Sequence, residues 1–394
     1  GCQLIPEWGD IVVDYVNEID DELEIEHISD EEAYPFITWV GEEVDEAYYK
    51  AVMGIEINPG LDKSDFKIVY SPQHGADNIP VRTCLKRLGY DIVPVLAQCA
   101  PDPDYTNTKS PNPEVDASYE LAIKLAKEVD ADVVAITDPD GDRLGVVAKH
   151  NGEYVLMSGN QSAAVYLEYI LSQRKEKGTL PDNAVMYNTI VTSDLGELVA
   201  RNYGVDVEKT LTGFKFIGDK IRKYEKTHEK QFIFGYEESY GCVVEDFVRD
   251  KDAVQAVLLA AECGNYYKKQ GKDLIDVLNE LYAKYGTFKE SQIALAKAGA
   301  AGAARIKEMM DTLRQDKPTE IGGVKVVLSE DYVTSERSDG TTIDLPKSNV
   351  LKYYLDDGSW IAARPSGTEP KCKFYFSIKD KDAKDAADKT EVFN

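Results

Sequence analysis

Ala135-Ile136-Thr137-Asp138-Pro139-Asp140-Gly141-Asp142-Arg143 carries the end of the apolar run Val133 to Thr137 into an acidic turn. Carboxylates at i, i+2 and i+4 leaving a buried strand can converge on one hard cation, with Pro139 and Gly141 shaping the turn between them. Three Asp ligands suit Mg²⁺. The same residues also make an ordinary acidic surface turn, so that alternative stays open at this level. A calcium EF-hand is excluded, because Arg143 stands where that loop requires Gly and Lys149 where it requires Glu. Arg143 beside a cation suits a phosphoryl group that coordinates the same ion.

Strand-like runs at Lys67 to Ser71 and Asp91 to Leu96 join Val133 to Thr137, separated by helical patterns at Val81 to Leu88 and Ser118 to Val129. Strand and helix alternate, which predicts an α/β layer. A second set repeats the logic, with helices at Ser162 to Ser172, Asp194 to Asn202 and Gly218 to Glu225 and strands at Ala184 to Val191, Val205 to Leu211 and Phe232 to Tyr236. Helices at Asp252 to Gln270 and Leu274 to Tyr285 close that set. Ala294 to Arg314 reads as an Ala-rich helical connector, although Gly299 and Gly302 weaken its helix propensity. Beyond it, strand runs at Val324 to Leu328, Val350 to Leu355, Trp360 to Ala363 and Lys373 to Ile378 predict a small α+β domain. The fold class is therefore α/β: two tandem mixed α/β-sheet domains followed by a small α+β C-terminal domain. Before all of these, Pro6 to Ile19 places Ile11, Val12, Tyr15, Val16 and Ile19 on one helical face, and the acidic stretch Asp20 to Glu32 reads as a solvated linker.

The totals agree with several soluble domains. The chain has 394 residues, 43% hydrophobic and 29% charged, with a formal charge of −26. That field repels nucleic-acid backbones and anionic membranes, so neither partner is expected. It also repels any phosphorylated ligand, whose site must gather Arg, Lys and backbone N–H groups locally. The six cysteines are scattered without a Cys-x-x-Cys pair, and no long apolar span or signal peptide is visible; a cytoplasmic protein with reduced thiols is expected. Oligomeric state is not legible.

Two further loops carry polar chemistry. Phe234-Gly235-Tyr236-Glu237-Glu238-Ser239-Tyr240-Gly241 follows an apolar strand, and alternation would put Glu237 and Ser239 on one side, towards vicinal hydroxyls. Arg364-Pro365-Ser366-Gly367-Thr368-Glu369-Pro370-Lys371 joins two strands, and its hydroxyls, glycine and flanking Arg and Lys form a phosphate nest, or else a simple β-turn. The segment Thr210 to Lys215 precedes a helix and can bring Lys215 to a ligand. His74, in a loop after a strand, is read as structural.

Taken together and in this order, these segments resemble the α-D-phosphohexomutases, over nearly the whole chain. The resemblance implies three related α/β domains and a C-terminal phosphate-clamping domain around one cleft. It divides this chain into 1–29, a remnant of a serine-bearing first domain; 30–157, a metal-binding α/β domain; 158–292, a sugar-binding α/β domain; and 293–394, the phosphate-binding α+β domain. It implies that Asp138, Asp140 and Asp142 bind Mg²⁺, that Arg143 steadies the phosphoryl in transfer with Lys215 a candidate acid or electrostatic helper, and that Glu237 and Ser239 hold sugar hydroxyls. Arg364, Ser366, Gly367, Thr368 and Lys371 would anchor the non-reacting phosphate of a hexose phosphate, with a hexose bisphosphate as intermediate. The Glu-Glu-Ser-Tyr-Gly form, with Gly241 where dual-specificity members carry His, resembles the glucose-type loop more than the mannose-accepting one.

One departure stands out. The family's nucleophile sits in a Ser-His-Asn-Pro loop, and no such tetrapeptide occurs among these residues. The start Gly1-Cys2-Gln3 without Met fits an excised piece, expected to bind ligand without turnover. Three other readings compete: another phosphohexomutase such as a phosphomannomutase, a haloacid-dehalogenase-like phosphatase with Asp138 as nucleophile, and a non-catalytic sugar-phosphate-binding protein.

Overall fold

The structure, a computed structural model, describes residues 3–296, 299–366, 370–381, 384–386 and 389–390. The chain forms two compact units: Gly1–Leu156 with Gly213–Gly235 and Ser239–Gln270, and Met157–Thr212 with Tyr236–Glu238 and Gly271–Asn394.

The first unit is built on five strands, β1 (Lys67–Ser71), β2 (Asp91–Pro94), β3 (Val133–Thr137), β4 (Leu144–His150) and β5 (Glu153–Met157). They lie in the order β2-β1-β3-β4-β5. β1 pairs in parallel with both β2 and β3, and β4 runs antiparallel to β3. All five residues of β3 are buried, which explains why it reads as continuous rather than alternating apolar sequence. Val69, Val134, Ile136 and Val147 join Tyr119, Ala122 and Ala126 in one core cluster, so the helix Glu120–Val129 covers one face of the sheet. Helix Ala253–Lys268 packs against β3 and β4 and is buried along nearly its whole length.

This packing sets the position of the acidic run. The chain leaves β3 at Thr137, turns at Gly141 with φ 75°, and returns so that Leu144 stands opposite Thr137. The loop after β1 emerges at the same C-terminal edge of the parallel strands, where open α/β sheets place ligand loops. The two loops touch: Ala76 N–H donates to the Pro139 carbonyl at 3.0 Å, and a Cβ on Gly75 would lie 2.5 Å from Pro139 Cα.

In the second unit Ala184–Thr189 and Asp206–Thr210 pair in parallel. A larger sheet follows the order Thr287–Ala296, Lys371–Asp380, Trp360–Pro365, Leu351–Leu355, Val324–Asp331 and Glu320–Ile321, with Glu336–Arg337 paired to Val324–Asp331. Helix Gly299–Gln315 sets Ile306 and Met310 against Leu351, Tyr353 and Cys372. Lys352 is wholly buried there; its ammonium donates to the Ile190 carbonyl at 2.7 Å and lies 3.9 Å from the Trp360 ring centroid. Burial and the nearby Lys209 charge push Lys352 down to about 7. Lys209 in turn bridges Asp194 at 3.0 Å and Glu197 at 2.6 Å.

The expected helix at Ala294 to Arg314 begins later. Residues to Ala296 belong to a strand, Thr287–Ala296, laddered in register from Thr287 opposite Asp380 to Ala296 opposite Lys371. Ten paired residues outweigh the helix preference of Ala and Leu, and the helix starts at Gly299. That strand, β4, β5 and the helix Glu42–Met53 were not anticipated from periodicity. The N-terminal helix runs Pro6–Asn17, and Trp8, Ile11, Val12, Tyr15 and Val16 are exposed on it. Among the described residues no helix is long and apolar enough to cross a membrane.

The close approach of β4 to its covering layer gives a stability test. Tyr119 Oη donates to the Pro113 carbonyl at 2.7 Å, and a Cβ at Gly145 would fall on that hydroxyl and 2.9 Å from Tyr119 Cζ. Gly145→Ala is expected to cost about 1–3 kcal/mol through overpacking, read as a lowered urea midpoint; an unchanged midpoint would show that the aromatic ring yields freely.

Candidate functional site

One carboxylate oxygen from each of Asp138, Asp140 and Asp142 lies within 4.8 Å of the other two. The backbone imposes this gathering. Asp138 Oδ1 accepts the N–H groups of Asp142 at 3.0 Å and Arg143 at 2.9 Å, and Gly141 N–H donates to the Asp138 carbonyl at 3.1 Å. The loop is also tied from outside: Ala253 N–H donates to the Gly141 carbonyl at 3.0 Å, and Leu144 N–H to the Tyr240 carbonyl at 2.9 Å. The donor set is all hard oxygen, which fits a small divalent cation.

Compensating charge is present but incomplete. Lys251 Nζ lies 3.0 Å from Asp142 Oδ2. Arg143 Nε stands 3.6 Å from both Asp138 Oδ2 and Asp142 Oδ1, while its Nη1 donates to Glu114 Oε1 at 2.9 Å. The guanidinium is thus held across the loop by a carboxylate on a separate segment. Asp138 is only 6% exposed, and burial together with the charges of Asp142 and Asp140 pushes its carboxyl up to about 7, against the two backbone donors. Asp77, also 6% exposed, is raised to about 7 by burial and by Asp252, Asp138, Asp140 and Asp142.

The remaining sequence-predicted residues fall as follows. Lys215 occupies the first turn of helix Phe214–Thr227, half-buried, its ammonium 5.5 Å from the Phe216 ring centroid; Gly213 before it takes φ 118°, which favours glycine. Ser239 belongs to the first unit and Glu237 to the second, where Glu237 is buried. The extended segment ends at Tyr236 and the chain turns at 238–239, so strand alternation does not describe this pair. The neighbouring Glu238 Oε2 accepts from Thr189 Oγ1 at 3.2 Å. Arg364 lies near the end of strand Trp360–Pro365, half-buried and opposite Lys373, and Ser366 N–H donates to the Lys371 carbonyl at 2.7 Å. Gly367 and Thr368 lie outside the described residues. His74 is held by the segment after β2: its Nδ1 is 2.7 Å from the Ala100 carbonyl.

Sequence reading missed Glu114, Lys251, Asp77 and Asp252, which face the acidic run from distant segments. Only the ion pair partners of Arg143 could have been guessed to exist, not located.

Comparison with known proteins places this architecture. Residues 46–152 match phosphoglucomutase/phosphomannomutase alpha/beta/alpha domain II, residues 158–285 match domain III, and residues 298–392 match the C-terminal domain of the same family. The chain belongs to the phosphoglucomutase/phosphomannomutase family, a family of α/β mutases. A phosphoglucomutase of Staphylococcus aureus (strain MRSA252) is 36% identical over 396 residues, covering 99% of this chain and 70% of that protein. One of Staphylococcus haemolyticus is 35% identical, covering 96% and 69%. In fold the chain is similar to an exocytosis-sensitive phosphoprotein (phosphoglucomutase) from Paramecium, with TM-score 0.63 at 18% identity over 88% of this chain and 62% of that one. A family member from Burkholderia thailandensis gives 0.62 at 18%, over 89% and 63%. The chain thus spans less than two thirds of these two solved chains and about 70% of these two staphylococcal relatives.

The raised carboxyls predict a pH dependence. Between the ordinary Asp range, roughly 4, and about 7, native Asp138 holds a proton that the unfolded chain has lost. Its contribution to stability is present at low pH and lost as pH rises through 7. In chelator, the melting midpoint is expected to fall between about pH 5 and about pH 8, and Asp138→Asn, which keeps the Oδ1 acceptor, should flatten that slope. A slope identical in parent and variant would remove Asp138 as its source.

Proposed function

We propose that this chain supplies the metal-binding, sugar-binding and phosphate-binding parts of a phosphoglucomutase, which interconverts glucose 1-phosphate and glucose 6-phosphate through a phosphoserine contributed from outside these 394 residues. The observation that carries this is the acidic loop: three converging carboxylates, with a guanidinium anchored beside them by Glu114. Asp138, Asp140 and Asp142 would hold Mg²⁺. When bound, the ion supplies positive charge where the transferring phosphoryl gathers negative charge. Arg143 offers planar N–H donors to the same phosphoryl, and Lys215 is the candidate acid or electrostatic helper.

Glu237 and Ser239 would hold sugar hydroxyls, and Arg364, Ser366, Gly367, Thr368 and Lys371 the non-reacting phosphate. The hexose bisphosphate intermediate then exchanges which phosphate faces the serine. The division at residues 30, 158 and 293 is part of this proposal, and the cytoplasm is the expected compartment. Glucose is favoured over mannose at Gly241. A Cβ there would lie 2.9 Å from Lys251 Cγ, and Lys251 is the residue paired with Asp142, so a histidine would push into the metal loop's own counter-ion. The family matches give the phosphatase and non-catalytic readings no support.

Calorimetric titration tests both halves of the site. Glucose 1-phosphate is expected to bind more tightly with Mg²⁺ and to lose at least about tenfold in affinity in Arg364→Ala, the worth of one charge-assisted hydrogen bond. Asp140→Ala should abolish Mg²⁺ binding. Unchanged affinity in the arginine variant would sink the phosphate-clamp assignment; retained Mg²⁺ binding in the aspartate variant would remove the acidic loop from the site.

A further inference from the structure

Two buried carboxylates from distant segments flank the acidic run, and their surroundings differ. Asp252 is 7% exposed and fully engaged. Tyr48 Oη lies 2.9 Å from both of its oxygens, and the N–H groups of Val254 and Gln255 donate to Oδ1 at 3.0 and 3.1 Å. Asp77, 6% exposed, precedes helix Asn78–Arg87 but makes no capping hydrogen bond to it. Its Oδ2 is enclosed and has no hydrogen-bond partner.

That carboxylate is aimed into the loop. A Cβ built on Gly141, the residue between Asp140 and Asp142, would lie 2.7 Å from Asp77 Cγ and 2.9 Å from Oδ2. Only a residue without a side chain lets the two segments approach so closely. Two nearby cations pair with other carboxylates, Lys251 with Asp142 and Asp250 at 3.0 and 3.3 Å, and Arg143 with Glu114 at 2.9 Å. A buried carboxylate oxygen lacking a donor, among like charges, is an unfavourable arrangement for the protein alone. It becomes favourable when a hydrated cation enters. Mg²⁺ sheds its water reluctantly, and the O–H groups of the retained waters require acceptors beyond the ligands. The oxygens that gather within 4.8 Å come from Asp138, Asp140 and Asp142, so Asp77 stands behind that set.

We propose that Asp77 is a positioning residue that accepts hydrogen bonds from the hydration shell of a divalent cation held by Asp138, Asp140 and Asp142, raising the affinity of the loop without ligating the ion. The inference rests on the metal reading above and adds a group to it. It carries a signature that a structural role cannot reproduce: the carboxylate destabilises the cation-free fold and strengthens cation binding.

The test titrates Mg²⁺ into the full chain by calorimetry, comparing the parent, Asp77→Asn and Asp140→Ala, and measures melting of each in chelator. Asp77→Asn keeps the volume of the side chain and removes its charge. The expected result is a loss of about 10–100-fold in Mg²⁺ affinity, the usual effect of removing an outer partner, with a melting midpoint in chelator equal to or above the parent's. Parent-like Mg²⁺ affinity in Asp77→Asn, while Asp140→Ala binds none, would overturn this inference and leave the metal reading standing. A weakened affinity accompanied by a clearly lowered midpoint in chelator, or a failure to fold, would assign Asp77 a structural role and overturn it too. If the parent itself binds no Mg²⁺, the metal reading fails first.

Discussion

Mutual repulsion at the C-terminal end of β3 is the constraint on which the first unit depends. Asp138, Asp140 and Asp142 leave the strand within five residues, and Asp77 and Asp252 close on them from other segments, while Lys251 and Arg143 provide the local positive charge. Left to themselves these side chains would splay into solvent. The backbone prevents it. Asp138 Oδ1 is fixed by two N–H donors of its own loop, the Gly141 carbonyl is held by Ala253 and the start of β4 by Tyr240. Backbone hydrogen bonds, from the loop itself and from the segments packed on it, thus hold a charge arrangement that the charges oppose, a pre-organisation that suits an incoming cation.

The second unit solves the opposite problem. Lys352 and Lys209 are cations enclosed by the fold, and each is met differently. Lys209 has carboxylates on both sides, and its proton is held above the usual lysine range by Asp194 and Glu197. Lys352 has a carbonyl and the faces of Trp360 and Tyr354, which solvate an ammonium weakly, and it drops to about 7. Such an amine ties the strand Leu351–Leu355 to the end of Ala184–Thr189 whether or not it carries a proton, because the neutral form still donates to Ile190. Arg364 lies half-buried near the end of the neighbouring strand, Trp360–Pro365.

What was legible in the sequence follows from distance along the chain. β3 and the acidic run could be read because strand, turn and three carboxylates are contiguous, so local periodicity and turn chemistry suffice. β4 and β5 were not, since Leu144 to Met157 carries Gly145 and a Lys-His-Asn-Gly turn that interrupt the pattern. The strand Thr287–Ala296 was missed because its ladder partner lies some eighty residues on, and only that partner decides between strand and helix for an Ala- and Leu-rich tail. The same limit applies to the site. Glu114, Asp77 and Lys251 reach the loop from segments 24 to 113 positions away in number from Asp138, and no motif announces them. The alternation assumed for Glu237 and Ser239 failed for a local reason: the strand ends one residue before them.

Lys251 shows how such distant residues couple parts of the site that sequence motifs treat as separate. Its ammonium compensates Asp142, its methylene stem covers Gly241, and its Nζ lies 5.4 Å from the Phe214 ring centroid at the head of the helix that carries Lys215. A lysine stem is long and flexible, and here it is fixed at both ends, by the carboxylate at its tip and by the absence of a side chain at 241. Any larger residue at 241 must therefore be accommodated by moving the stem, and moving the stem withdraws charge from the acidic loop. Gly241 is thereby constrained by the electrostatics of the acidic run, and position 241 cannot vary in size independently of Asp142 and its counter-ion.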